Sequence, residues 1–192
     1  MQLYSHYKKP NTYQKDSFKP WKDRSLNKFL IYSCRKSLYD AGNFPSSLHY
    51  HDYFELTVIE NGNVKYICES EVFSPKKGDI ILKPPGNFHM SVIGEEKTQY
   101  NRHVFYFYTH ALDDLGYSCL FDFAKKEKNG AVISLPKAKK EKLLALLDLI
   151  EGSLSHEENE MESALGFSYI IQFLYLLNKE QIREDKSSDP PP

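Results

Sequence analysis

Four side chains in this sequence have the types and spacing to do chemistry: His49, His51, Glu55 and His89. Alternate residues of an extended strand leave on opposite faces, so His49, His51 and Glu55, which share parity, project together. Tyr53 and Thr57 continue that face, whereas on a helix His49 and His51 would diverge. His89 follows a Pro84-Pro85-Gly86 turn some 34 positions beyond Glu55, where a barrel could bring it across the interior. Three imidazoles and one carboxylate suit a divalent transition metal such as Mn, Fe, Ni or Zn, with positions left for water or substrate. They equally suit a barrel-mouth cluster in which the carboxylate and imidazoles satisfy one another. Spacing leaves both readings open. Tyr53 and Ser91 share faces with the histidines by simple alternation, which a single bulge would reverse.

The elements that must position these groups are short. From about residue 26 to 110, β-branched and aromatic runs alternate with turn signals: Phe29–Cys34, His49–Glu60, Val64–Glu69, Ile80–Leu82 and His103–Thr109. Such runs predict a sandwich or barrel, and Asn61-Gly62 between two of them predicts a type I′ hairpin. The period then becomes helical. Leu143, Leu146, Leu147, Ile150 and Leu154 form one stripe behind Pro136, and Ser155 to Glu158 reads as a capping box for a second helix ending near Ile182. The predicted organisation is a mainly β fold: an arm over 1–25, a barrel over 26–135, a helical hairpin over 136–183 and a linker or tail over 184–192. The arm's aromatics, Tyr13 and Trp21 among them, are candidates to dock on the barrel.

Between Ala164 and Leu177 the second helix is apolar around most of its circumference. A barrel would cover only one side, so the pattern predicts a partner subunit on the other, with Leu165, Tyr169, Phe173, Leu176 and Leu177 as candidate dimerisation residues. The competing reading is that the first helix alone covers that side.

The formal net charge is −1, from 25 basic and 26 acidic residues, so the molecule as a whole offers no attraction to nucleic acid or anionic membranes. Cys34, Cys68 and Cys119 are too scattered for a metal-binding or redox pair and odd in number, which suits a reducing cytoplasm. No stretch has the apolar length of a signal peptide or a membrane span.

Two motifs carry a resemblance. Gly42-x6-His49-x-His51-x3-Glu55-x6-Gly62 resembles the first motif of the cupin superfamily, with a first spacer one residue longer than the common form. Gly78-x5-Pro84-x-Gly86-x2-His89 is similar to the second, with Ile93 where that motif usually has Asn. More closely, Leu48–Leu56, Gly78–His89 and Tyr100–Phe107, followed by the helix pair, resemble in order and spacing the N-terminal domain of AraC-family transcription regulators, over roughly residues 26 to 182. The resemblance implies a cupin-type, jelly-roll-like barrel that holds a small-molecule effector, such as a sugar. It also implies homodimerisation through the helical hairpin. On this reading His49, His51, Tyr53, Glu55, His89, Ser91, Arg102 and Val104 line the effector site, with Arg102 placed to pair with a carboxylate or hydroxyl-rich ligand. DNA binding would reside in a C-terminal pair of helix-turn-helix units, which no residues after Ile182 could form, and the domain itself would not be an enzyme. The alternative is a metal-dependent cupin enzyme, an isomerase or dioxygenase using His49, His51, Glu55 and His89.

Overall fold

The computed structural model describes residues 24–27, 30–39, 47–94, 97–155 and 160–187. The arm up to residue 23, the Ala41-Gly42-Asn43 turn and the His156–Glu158 part of the expected capping box lie outside them.

Among the described residues, nine strands form two antiparallel sheets. Strands β1 (Arg24–Asn27), β2 (Leu30–Tyr39), β3 (Phe54–Asn61), β6 (Ile80–Lys83), β8 (Thr98–Phe107) and β9 (Ala131–Ile133) make the larger, in the order β1-β2-β8-β3-β6-β9. Strands β4 (Val64–Cys68), β5 (Glu71–Phe73) and β7 (His89–Ile93) make the smaller, in the order β5-β4-β7. Tyr39, Ile59, Ile81 and Tyr100 of the larger sheet pack with Val64, Tyr66 and Ile93 of the smaller in one buried cluster, so the sheets meet face to face. This is the expected mainly β barrel. Register fixes what points inside. Glu55, Thr57 and Ile59 of β3 lie opposite Tyr106, Val104 and Arg102 of β8, while Val104 and Arg102 lie opposite Ser33 and Arg35 of β2.

Asn61-Gly62 is not a hairpin turn. β3 pairs with β6 and β8, and β4 pairs with β5 and β7, so the chain changes sheets there. Only Gly62 has positive φ, at 127°, whereas a type I′ turn needs it at both central residues. A Cβ on Gly62 would stand 2.8 Å from the Gln99 carbonyl oxygen, so glycine is required by close approach to β8.

The helical unit comprises Thr109–Lys126 together with the residues from Leu135 onward. It holds α1 (Asp122–Lys126), α2 (Lys137–Ser155) and α3 (Glu160–Ser187). The stripe Leu143, Leu146, Leu147, Ile150 and Leu154 of α2 is buried, as its spacing predicts. α3 packs on α2, with Gly166 so near Leu154 that a Cβ would meet its Cδ2 at 2.7 Å, and Ile170, Phe173, Leu174 and Leu177 of α3 are buried. A second cover for α3 comes from 118–126, placed in the barrel by the sequence reading: Phe121 and Phe123 are buried there, and the Phe123 amide donates to Asn178 Oδ1 at 3.0 Å. Two of the expected dimerisation residues, Phe173 and Leu177, are therefore fully buried within this chain. Tyr169 and Leu176 are half-buried and Leu165 is exposed. α3 also runs to Ser187, beyond Ile182, because its last turns are rich in strong helix formers such as Lys179, Glu180, Gln181 and Arg183. No helix among the described residues is long and apolar enough to cross a membrane.

Candidate functional site

Inside the barrel, His51, Glu55 and His89 converge. Each is buried, and one ligand atom from each lies within 4.8 Å of the other two. His51 Nε2 is 3.4 Å and His89 Nε2 3.8 Å from Glu55 Oε2. Glu55 is placed by β3 and His89 by β7, but His51 precedes β3, which starts only at Phe54. His51 is anchored instead by its carbonyl, which accepts the Gly86 amide at 2.8 Å, tying it to the Pro-Pro-Gly turn that leads into His89. Glu69 holds the same turn from the other side: its Oε1 accepts the Phe88 amide at 2.8 Å and its own amide donates to Phe88 O at 2.8 Å.

The histidine tautomers follow from their partners. His51 Nδ1 faces Tyr53 O at 2.7 Å and His89 Nδ1 faces Asn87 O at 3.0 Å. A carbonyl oxygen only accepts, so each Nδ1 carries a hydrogen. His51 Nε2 hydrogen-bonds Glu55 Oε2 at 3.4 Å, whereas His89 Nε2 has no hydrogen-bond partner although it is buried, and it turns a bare lone pair inward. Burial lowers the His89 pKa from 6.5 to about 4, despite the nearby Glu55 carboxylate. Burial alone would push the Glu55 carboxyl up, but the Lys83 ammonium and the two imidazoles hold it well below the usual carboxylate range.

Lys83 was not among the expected site residues. It is the register partner of Glu55 on β6, is 3% exposed, and donates through Nζ to Glu55 Oε1 and, at 3.3 Å, to Thr57 Oγ1. Thr57 Oγ1 in turn donates to Glu55 Oε1 at 3.0 Å. The ammonium also lies 4.7 Å from the Tyr66 ring centroid, and Tyr66 and Tyr100 hydrogen-bond through their hydroxyls. A polar chain therefore crosses the interior from Glu55 through Lys83 and Tyr66 to Tyr100. The signal available in the sequence was an opposite charge in the second motif, which only the strand register could pair with Glu55.

The remaining candidates fall unevenly. His49 forms an isolated bridge with His89 and its ring stands 4.5 Å from that of His89, but it is not one of the three convergent ligands, and its Nδ1 donates to Ser47 O at 2.8 Å. Tyr53 stacks on His51 at 4.0 Å and packs with Val104 and Tyr106. Ser91 shares the inward face of β7 with His89, opposite Tyr66 of β4. Arg102 lies four residues along the register from Glu55, its guanidinium 4.1 Å from the Tyr100 ring centroid. The one bulge in β3, between Ile59 and Asn61, falls beyond these positions and leaves their alternation intact.

Two imidazoles and a carboxylate with convergent ligand atoms fit a divalent metal ion, and the orphaned His89 Nε2 is the observation that favours one. His51, Glu55 and His89 would hold it, and it would supply a Lewis-acidic anchor for an oxygen ligand. Lys83 opposes it, because the ammonium already neutralises Glu55.

The AraC-like ligand binding domain family model matches residues 32–168. Among solved structures, apo ToxT from Vibrio cholerae superposes with a TM-score of 0.51 at 10% identity, covering 82% of this chain and 59% of that one. The AraC-like transcriptional activator CuxR gives 0.43 at 12% identity, covering 80% and 54%. KdgF from Halomonas sp. gives 0.35 at 17% identity, covering 45% and 76%. The likeness to ToxT shows a shared fold, and the chain spans just over half the length of the two regulators. No curated protein sequence matches.

Proposed function

The chain belongs to the AraC-like ligand-binding domain family, and from that membership we propose that it is the effector-sensing domain of a cytoplasmic transcription regulator, binding a hydroxyl-bearing small molecule such as a sugar inside the barrel. The observation that carries the reading is the convergence of His51 Nε2, His89 Nε2 and Glu55 Oε2 in a buried interior, with His89 Nε2 left unpartnered. A buried acceptor without a donor is costly, and a ligand hydroxyl would satisfy His89 Nε2. Tyr53, Ser91, Val104 and Arg102 would complete the lining, with His49 at its margin. Regulation requires the effector to favour one arrangement of the protein over another, since equal affinity shifts nothing. DNA contact would come through a separate module, and a homodimer would use what α3 leaves exposed.

A metal-dependent enzyme built on the same three residues is the second reading, favoured by the orphaned His89 Nε2. One experiment separates them. Thermal unfolding is followed with neutral sugars and sugar acids, for the wild type and for Glu55→Gln and His89→Ala, in chelator and in added Mn, Fe, Ni or Zn. Saturable, metal-independent stabilisation that weakens in both variants supports the sensor. Stabilisation only with metal, accompanied by conversion of the compound, overturns it.

A further inference from the structure

Glu55 and Lys83 satisfy each other, so the charge balance of the interior is decided elsewhere, at Arg102. Arg102 has no ion pair among the described residues, and its buried Nη1 has no hydrogen-bond partner. Glu55 is out of reach: Ile59, not Glu55, is the register partner of Arg102, and four residues of strand separate the two levels by about 13 Å. Across the other ladder Arg102 faces Arg35, so two guanidiniums occupy paired positions on one face, where like charges repel. Arg35 Nε donates to Ser33 Oγ at 3.1 Å. The Tyr100 ring supports the Arg102 guanidinium from one side, yet an aromatic face leaves its planar donors unfilled. Arg102 is only partly buried, so a ligand can reach it.

A buried guanidinium donor without an acceptor is an expensive feature for a fold to retain, and two paired arginines make it more so. A ligand anion offsets both costs. We infer that the effector carries an anionic group, a carboxylate or a phosphate, that docks on Arg102 at the end of the barrel interior away from Glu55, with Arg35 adding positive charge. This rests on the effector-sensing reading and narrows its ligand class: hydroxyls toward His51, Glu55 and His89, an anion toward Arg102. A planar guanidinium also favours bidentate pairing with either group over a single contact.

The test follows thermal unfolding and calorimetric titration of the full chain with inorganic phosphate, with succinate and with glucose, in the wild type, Arg102→Gln and Arg102→Lys. Saturable binding of an anion by the wild type is expected, with phosphate and succinate distinguishing the two anion chemistries. Affinity should weaken about tenfold or more in Arg102→Gln and less in Arg102→Lys, which keeps the charge but not the fork. Without anion, Arg102→Gln should be no less stable than the wild type, because it removes an unsatisfied charge. An anion response unchanged in Arg102→Gln would overturn the inference, as would folding lost in both variants, which would make the arginine structural. Binding of glucose alone, indifferent to Arg102, would overturn it while leaving the sensor reading intact. Binding of none of the three would count against both.

Discussion

Lys83 and Glu55 face each other across the β3–β6 ladder as a buried ion pair, the ammonium on Oε1 and the two imidazoles beside Oε2. One carboxylate thus serves a cation on one oxygen and faces the two imidazoles with the other. Removing one partner of a buried pair leaves the other charge uncompensated, at a cost of about 3–5 kcal/mol. Lys83→Met should therefore lower the urea-derived stability by roughly that amount, and Lys83→Met with Glu55→Gln by clearly less than the two single changes added together. A Lys83→Met variant within about 1 kcal/mol of the wild type would show the pair to be dispensable.

The same ammonium sets the response to metal. A cation bound by His51, Glu55 and His89 would share its carboxylate with a positive charge already in place, which disfavours metal electrostatically. Titration with Zn or Ni should give binding about tenfold tighter or more in Lys83→Met than in the wild type, and His89→Ala should abolish the gain. Equal affinities with and without Lys83 would remove the ammonium from the account.

Acid should loosen the barrel in a defined window. His89 titrates near 4 when folded against 6.5 ordinarily, because burial disfavours its charged form. Between those values the unfolded chain binds more protons, so the stability associated with neutral His89 is complete above pH 6.5 and is lost as pH falls toward 4. The gap corresponds to roughly 3 kcal/mol. Glu55, held below the ordinary carboxylate range, acts in the same direction below about 4.5. His89→Asn should flatten the pH 6.5 to 4 slope measured by urea unfolding at each pH, and an unaltered slope would assign it to other groups.

Alternation was enough to bring Glu55 and Thr57 to one face and to place Ser91 with His89, since those strands are regular where it matters. His51 reached the site by another route, a backbone hydrogen bond to Gly86 ahead of β3, which parity does not report. Lys83 stood in plain view between Leu82 and Pro84, but a lysine in a strand is ordinarily solvated, and only register pairs it with Glu55. Gly62 was misread for a related reason: an Asn-Gly pair states that the chain turns, not which strands the turn joins. The apolar girth of α3 was real, yet part of its cover is the 118–126 segment, whose short helical turns have no period to detect.

That cover redirects the test for a dimer. Met161, Leu165 and Tyr175 lie on the exposed side of α3 at 82%, 46% and 50% exposure, spaced so that i, i+4 and i+14 share a stripe. Leu165→Glu with Tyr175→Glu should halve the sedimenting mass while preserving helical circular dichroism, if this stripe joins two copies. Phe173→Ala, by contrast, should cost about 3–5 kcal/mol of stability through the cavity it leaves. An unchanged mass in the double variant would exclude this face of α3 as the interface.

Gly62 connects the fold to the Arg102 end of the interior. Its φ of 127° is strained for any L side chain, and the atom its Cβ would strike, at 2.8 Å, is the backbone carbonyl of Gln99 in β8. Backbone cannot step aside as a flexible side chain can, so Gly62→Ala should cost about 2–3 kcal/mol, combining strain with displacement of β8. Asparagine should not rescue it, because the conformation Asn tolerates lies near φ of about 57°, well short of this one. Displacing Gln99 also moves Tyr100 and Arg102, which follow it on the same strand. Loss of anion affinity in Gly62→Ala should therefore accompany its loss of stability, while the environment of His89, measured by its pH titration, stays near the wild type. Full stability and unaltered anion binding in Gly62→Ala would mean that the corner between the sheets relaxes independently of β8.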